Sequence, residues 1–120
     1  MAFQVRLTTQ AEQDADKIYS YIFERAPQGA NRWYRALLDV VDLLDTNPQG
    51  RPLSLERGVA DADLRQMLFN TPKSHTYRAL FIVLEDQNQV DIIAVRGPAQ
   101  NLMTAEEVRE ALQDDRNPSD

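Results

Sequence analysis

The 120-residue chain has no cysteine and a single histidine. A disulfide framework and thiolate metal sites are thereby excluded, and one histidine cannot build a histidine-based zinc site. No stretch approaches the roughly 20 consecutive apolar residues that a membrane span needs. The opening Met1-Ala2-Phe3-Gln4-Val5-Arg6 lacks the basic-then-apolar layout of a signal peptide, so the expectation is a protein of the reducing cytoplasm that works without a cofactor or metal. A basic excess is missing too, because 13 lysines and arginines face 19 aspartates and glutamates, a net charge of −6. The segment from Ala105 to Asp120 holds six of the acidic residues against Arg109 and Arg116, which leaves a body only mildly acidic. Even so, that body is short of the positive charge by which proteins grip phosphate backbones.

What is present suffices for one hydrophobic core: 42% of the residues are hydrophobic, an ordinary share for a globular domain of this length. Phe3 to Leu7 alternates apolar and polar residues, which predicts a strand with one buried face. Thr9-Gln10-Ala11-Glu12 has capping-box spacing and predicts a helix start, with Ala11, Ala15, Ile18 and Ile22 forming the core-facing stripe and Pro27 and Gly29 ending the helix. Tyr34, Leu37, Leu38, Val41 and Leu44 keep helical spacing in a second helix, and so short a connection predicts antiparallel packing of the two. Asn47-Pro48-Gln49-Gly50 opens a loop that runs from Pro48 to Asp63.

Three runs rich in β-formers follow, Leu64 to Thr71, Tyr77 to Leu84 and Val90 to Val95, and they predict an antiparallel meander. Thr104-Ala105-Glu106-Glu107 repeats the capping-box spacing before a short helix carrying Val108 and Leu112. The expected architecture is therefore α+β: an N-terminal strand, an antiparallel helical hairpin packed on a small antiparallel sheet, and a short C-terminal helix. A single domain over residues 1–104 is followed by an acidic helix and tail over 105–120.

This order resembles the RelE/ParE family of toxins from type II toxin–antitoxin systems. The resemblance is carried by the Thr9 helix start, by Arg32-Trp33-Tyr34 and the aliphatic run to Leu44, and by Leu64-Arg65 and Tyr77-Arg78-Ala79-Leu80-Phe81 on the sheet, over about residues 3–100. It implies a bacterial toxin, of the plasmid-stabilisation type, neutralised by a cognate antitoxin, as a dimer or as a heterotetramer with that antitoxin. Where many relatives end the last strand in an Arg-His-Gly-x-Arg pattern, this chain has Val95-Arg96-Gly97-Pro98-Ala99-Gln100. Arg96 is kept, and the other basic positions hold Gly97 and Gln100.

Three functional readings stay open at this point. A ParE-like toxin acts on DNA gyrase and needs no catalytic residues of its own. A RelE-like toxin cleaves messenger RNA at the ribosome, which requires a proton acceptor, cations for the charged transition state and an acid. A diverged, non-toxic module binds an antitoxin and nothing more. For the ribonuclease the catalytic candidates are Arg65, Arg78 and Arg96, with Lys73 and His75 as contacts to nucleic acid or target, since all five lie on the meander or its first hairpin loop. The plain alternatives are solvated loop residues for Lys73 and His75, and ion pairs to carboxylates such as Asp14, Asp16 or Asp63 for the arginines. Trp33 and Tyr34 read as core or antitoxin-facing residues before they read as base-stacking ones.

Overall fold

The computed structural model describes residues 2–56, 63–71 and 75–114. Four strands, β1 (Gln4–Leu7), β2 (Arg65–Asn70), β3 (Thr76–Leu84) and β4 (Gln89–Arg96), form one sheet in the order β1-β4-β3-β2. Helices α1 (Thr9–Phe23) and α2 (Pro27–Leu43) cover one face, and α3 (Ala105–Asp114) packs on the other. The α+β layout is as expected, with one correction: the sheet is mixed. The meander β2-β3-β4 is antiparallel, but β1 joins the outer edge of β4 in parallel, with Gln4 opposite Gln89 and Leu7 opposite Ile92. The helical hairpin carries the chain from β1 across the sheet to β2 at the opposite edge, and the meander then brings β4 back beside β1.

Local chemistry sets the helix boundaries. The N-cap of α1 is Thr8, one residue before the expected Thr9, and its Oγ1 accepts from the Ala11 amide at 3.3 Å. Pro27 does not end the first helix. It begins the second, at a position where a missing amide hydrogen costs nothing and the fixed φ is already helical. The box at Thr104 forms as its spacing predicts, with the Thr104 amide donating to Glu107 Oε1 at 2.9 Å and the Glu107 amide to Thr104 Oγ1 at 3.1 Å. The Pro48–Gly50 segment makes one 3-10 turn, while residues 57–62 of the expected loop lie outside the described residues.

The helix-side core gathers Ala11 and Ala15 of α1 with Trp33, Leu37 and Val40 of α2 and Leu44 just beyond it, over Phe69, Tyr77, Phe81 and Ile92. Trp33 is fully buried, its ring centroid 5.7 Å from Tyr77 and 6.1 Å from Phe69. Leu64, Leu80, Ile82 and Ile93 form a second cluster with Met103, Val108 and Ala111, so α3 is part of the packed structure.

One irregularity matters for the site. Leu80 pairs with Ala94 but Phe81 with Ile92, which leaves Ile93 as an extra residue in β4. Such a bulge shifts the in–out alternation by one. Ile92 and Val95 both face the helices as a result, and Arg96 turns to the α3 side. The burial pattern gives a test. Trp33→Ala should cost about 3–5 kcal/mol in urea unfolding, as removal of a fully buried ring does. Tyr34→Ala next to it, on the exposed side of α2, should cost less than about 1 kcal/mol; the reverse ranking would remove Trp33 from the core.

Candidate functional site

The four described residues among the basic ones singled out in the sequence do not converge. Arg78 and Arg96 are directly opposed on β3 and β4, on the α3 face of the sheet. Arg65, opposite Phe81, points to the helix face and donates from Nη1 to the Arg51 carbonyl at 2.6 Å. His75 is exposed just ahead of β3, beside the helix face, and Lys73 lies outside the described residues. Arg65 and Arg78 therefore do not project from one surface, because an odd residue separation in register puts them on opposite sides of a pleated sheet.

Arg78 is not free. Both of its terminal nitrogens donate to Glu56, each at 2.8 Å, and Nη1 also reaches Gln66 Oε1 at 3.1 Å. Glu56 has a fully buried side chain and Arg78 is 13% exposed. The second oxygen of Glu56 also accepts from the Met103 amide at 3.0 Å. Burial pushes the carboxyl up, but the guanidinium and that amide outweigh it and hold Glu56 down at about 2. None of the carboxylates named from sequence is the partner. Glu56 sits in an irregular loop with no periodic signal, so nothing local in the sequence marks it. Arg96 donates to the Asn101 carbonyl, and its Nε is buried without a hydrogen-bond partner among the described residues.

On the helix side a cleft of about 710 Å³ opens between α1, the start of α2, the β2–β3 hairpin and residues 97–100. Successive turns of α1 supply Asp14, Lys17, Ile18, Tyr21 and Ile22 to one wall, and Arg25, just past the helix end, extends it. The Asp14 carboxylate accepts from the Val95 amide at 3.0 Å and from Gln10 at 2.9 Å, capping β4 beyond the end of β1. Burial pushes Asp14 up, against the pull of those two donors and of Arg96 and Lys17. Burial likewise raises the Tyr77 phenol. Arg25 lies over the Tyr21 ring, 3.8 Å from its centroid, and donates to the Tyr21 carbonyl at 2.8 Å. At the far wall the Gly97 amide donates to Gln100 Oε1 at 2.6 Å. Among the described residues no group of His, Cys, Asp or Glu side chains could hold a metal ion, and no helix is long and apolar enough to cross a membrane.

The model of the ParE toxin of type II toxin–antitoxin systems matches residues 5–102. The chain belongs to the ParE toxin family. The family implies a cognate antitoxin as the toxin's partner. Its match takes in the sheet from Val5 onward, the helical hairpin and the Glu56–Arg78 pair, and ends just before α3. Among solved structures the toxin is similar to a double arginine-to-alanine mutant of the E. coli toxin RelE in the free state. That likeness has 16% identity and a TM-score of 0.53, over 95% of this chain and 94% of the other. At that identity it speaks for the shared fold. No curated protein matches.

The two shifted carboxyls predict opposite pH behaviour. Glu56 is lowered from 4.5 to about 2, so its contribution is whole above pH 4.5 and is lost as the pH falls toward 2. Glu56→Met or Arg78→Met alone should cost about 3–5 kcal/mol by stranding the other charge, while the double variant should recover most of it. Asp14 is raised, so its protonated form favours the fold and ionisation takes stability away as the pH rises through its folded value. Asp14→Asn can still accept from Val95 and should lose no stability at pH 7. Urea midpoints at pH 3, 5 and 7 check all four variants; a double Met variant as unstable as the singles would refute the pairing.

Proposed function

We propose that this ParE-family toxin arrests growth by acting on DNA gyrase, without catalysis of its own, and that its antitoxin neutralises it. The observation that carries this reading is the closed Arg78–Glu56 pair. RNA cleavage through the 2′-hydroxyl needs cations free to meet charge as it develops on the phosphate, together with a proton acceptor and donor nearby. Here the motif arginine of β3 already has both ends of its guanidinium on a buried carboxylate. Arg65 is on the other face, and so is His75, the one imidazole. The deficit of basic residues supports the same reading, since it disfavours a grip on RNA.

A second reading has one observation in its favour: Arg78 and Arg96 are neighbours across β3 and β4, close enough to act on one phosphate if Glu56 were withdrawn. Two assays decide between the readings. Induced expression without antitoxin should stop growth, and the purified toxin should inhibit gyrase supercoiling while leaving ribosome-bound messenger RNA intact. Cleaved messenger RNA with unimpaired supercoiling would replace the gyrase reading by the ribonuclease one, and harmless expression would favour a diverged antitoxin-binding module.

A further inference from the structure

The outer side of the helical hairpin carries apolar surface that the core does not use. On α1, Glu12, Asp16, Tyr19 and Phe23 follow one another at three- and four-residue steps and so share one stripe. Asn31, Tyr34, Leu38 and Asp42 do the same on α2. Tyr19 joins the two stripes: its ring centroid lies 5.8 Å from Phe23 and 6.1 Å from Tyr34, and its hydroxyl donates to Asn31 Oδ1 at 2.7 Å. The aromatic cluster is thus held in place, yet Phe23 and Tyr34 are 46% exposed, and Leu38, one turn beyond Tyr34, is 44% exposed. Rings fixed before a partner arrives lose little freedom on binding, and tyrosines of this kind are typical anchors of protein interfaces.

The charge around the cluster is mostly of one sign. Glu12, Asp16, Asp39 and Asp42 stand exposed on or beside the two stripes, and Arg35 is the one cation among them within the described residues. The other exposed cations of the hairpin, Lys17, Arg25 and Arg32, line the cleft instead, and Arg25 lies 3.9 Å from Glu24, the neighbour of Phe23.

This chemistry selects among partners. A second copy would set carboxylates against carboxylates, and nucleic acid would be repelled. A protein surface rich in lysine and arginine is drawn in by the acidic rim and can seat its apolar groups and its cations on the rings. An enzyme that handles duplex DNA has such surfaces, because it must neutralise phosphates along the path of the DNA.

We propose that the Tyr19, Phe23, Tyr34 and Leu38 face is the surface by which the toxin docks on a basic, DNA-handling surface of gyrase. The proposal rests on the gyrase reading and assigns that reading a place on the toxin. The net charge of −6, which disfavours a grip on RNA, favours this encounter.

The test measures binding of the toxin to immobilised gyrase together with inhibition of supercoiling. Tyr34→Ala combined with Leu38→Ala should weaken both at least tenfold, and so should Asp39→Lys combined with Asp42→Lys. Glu110→Lys, the same kind of charge change at an exposed position of α3, should leave both unchanged. Added salt should weaken wild-type binding more than that of the Asp39→Lys, Asp42→Lys variant. Urea midpoints separate lost binding from lost folding, and should the apolar variant unfold, the charge variant decides. The proposal is overturned if the wild type inhibits gyrase and the folded variants inhibit it equally, if Glu110→Lys is as damaging as the charge variant, or if the toxin self-associates through this face and loses that association in the variants. A wild-type toxin that does not bind gyrase removes the gyrase reading itself, an outcome distinct from these three.

Discussion

Glu56 is a carboxylate cut off from water in a loop, and the arrangement around it holds four separated parts of the chain in one place. Its two oxygens take the Arg78 guanidinium from β3, one of them takes the Met103 amide ahead of α3, and Arg78 in turn holds Gln66 of β2. Stripping water from a carboxylate costs several kcal/mol, which only well-aimed, charge-assisted hydrogen bonds offset. Loop, sheet and the approach to α3 are thus mutually dependent. Like charges directly opposed on a sheet repel, and Arg96 faces Arg78, so the neutralisation of Arg78 by Glu56 also makes that neighbour tolerable.

The division of labour between the two faces of the sheet follows from this pair and from the bulge at Ile93. By shifting the alternation in β4, the bulge assigns Val95 to the helix-side core and Arg96 to the α3 side. The motif arginines that a nuclease would use are split between faces or locked. Lys17 and Arg32 lie exposed on the helical hairpin, at the aliphatic cleft.

Much of the fold is legible in the sequence because it is written in local patterns. The apolar stripe of Ala11, Ala15, Ile18 and Ile22, the β-forming runs, and the reciprocal box of Thr104 and Glu107 all identify their elements. Strand partnership is not a local property, which is why the parallel seat of β1 beside β4 does not follow from its alternating residues. Pro27 reads equally well as a stop or a start, and only the three-residue linker after Phe23 shows which it is. The candidate site is less legible still. Arg78 and Arg96 can be named from the family motif, but their facing depends on one inserted residue in β4, and the partner Glu56 lies 22 positions from Arg78 in a segment without periodicity. In the cleft, the i, i+4 spacing of Lys17 and Tyr21 on α1, continued by Arg25 just past its end, is the signal that could have marked this wall.

The parallel pairing of β1 also orders events in time. Gln4 pairs with Gln89, so the first strand to leave the ribosome is seated only by the last, 85 residues later. At about 5–20 residues per second, that interval is roughly 4–17 s of synthesis. During it the helical hairpin and β2-β3 can gather, but β4 and the edge it offers β1 do not yet exist. The nascent chain therefore cannot present a finished sheet until β4 has been made.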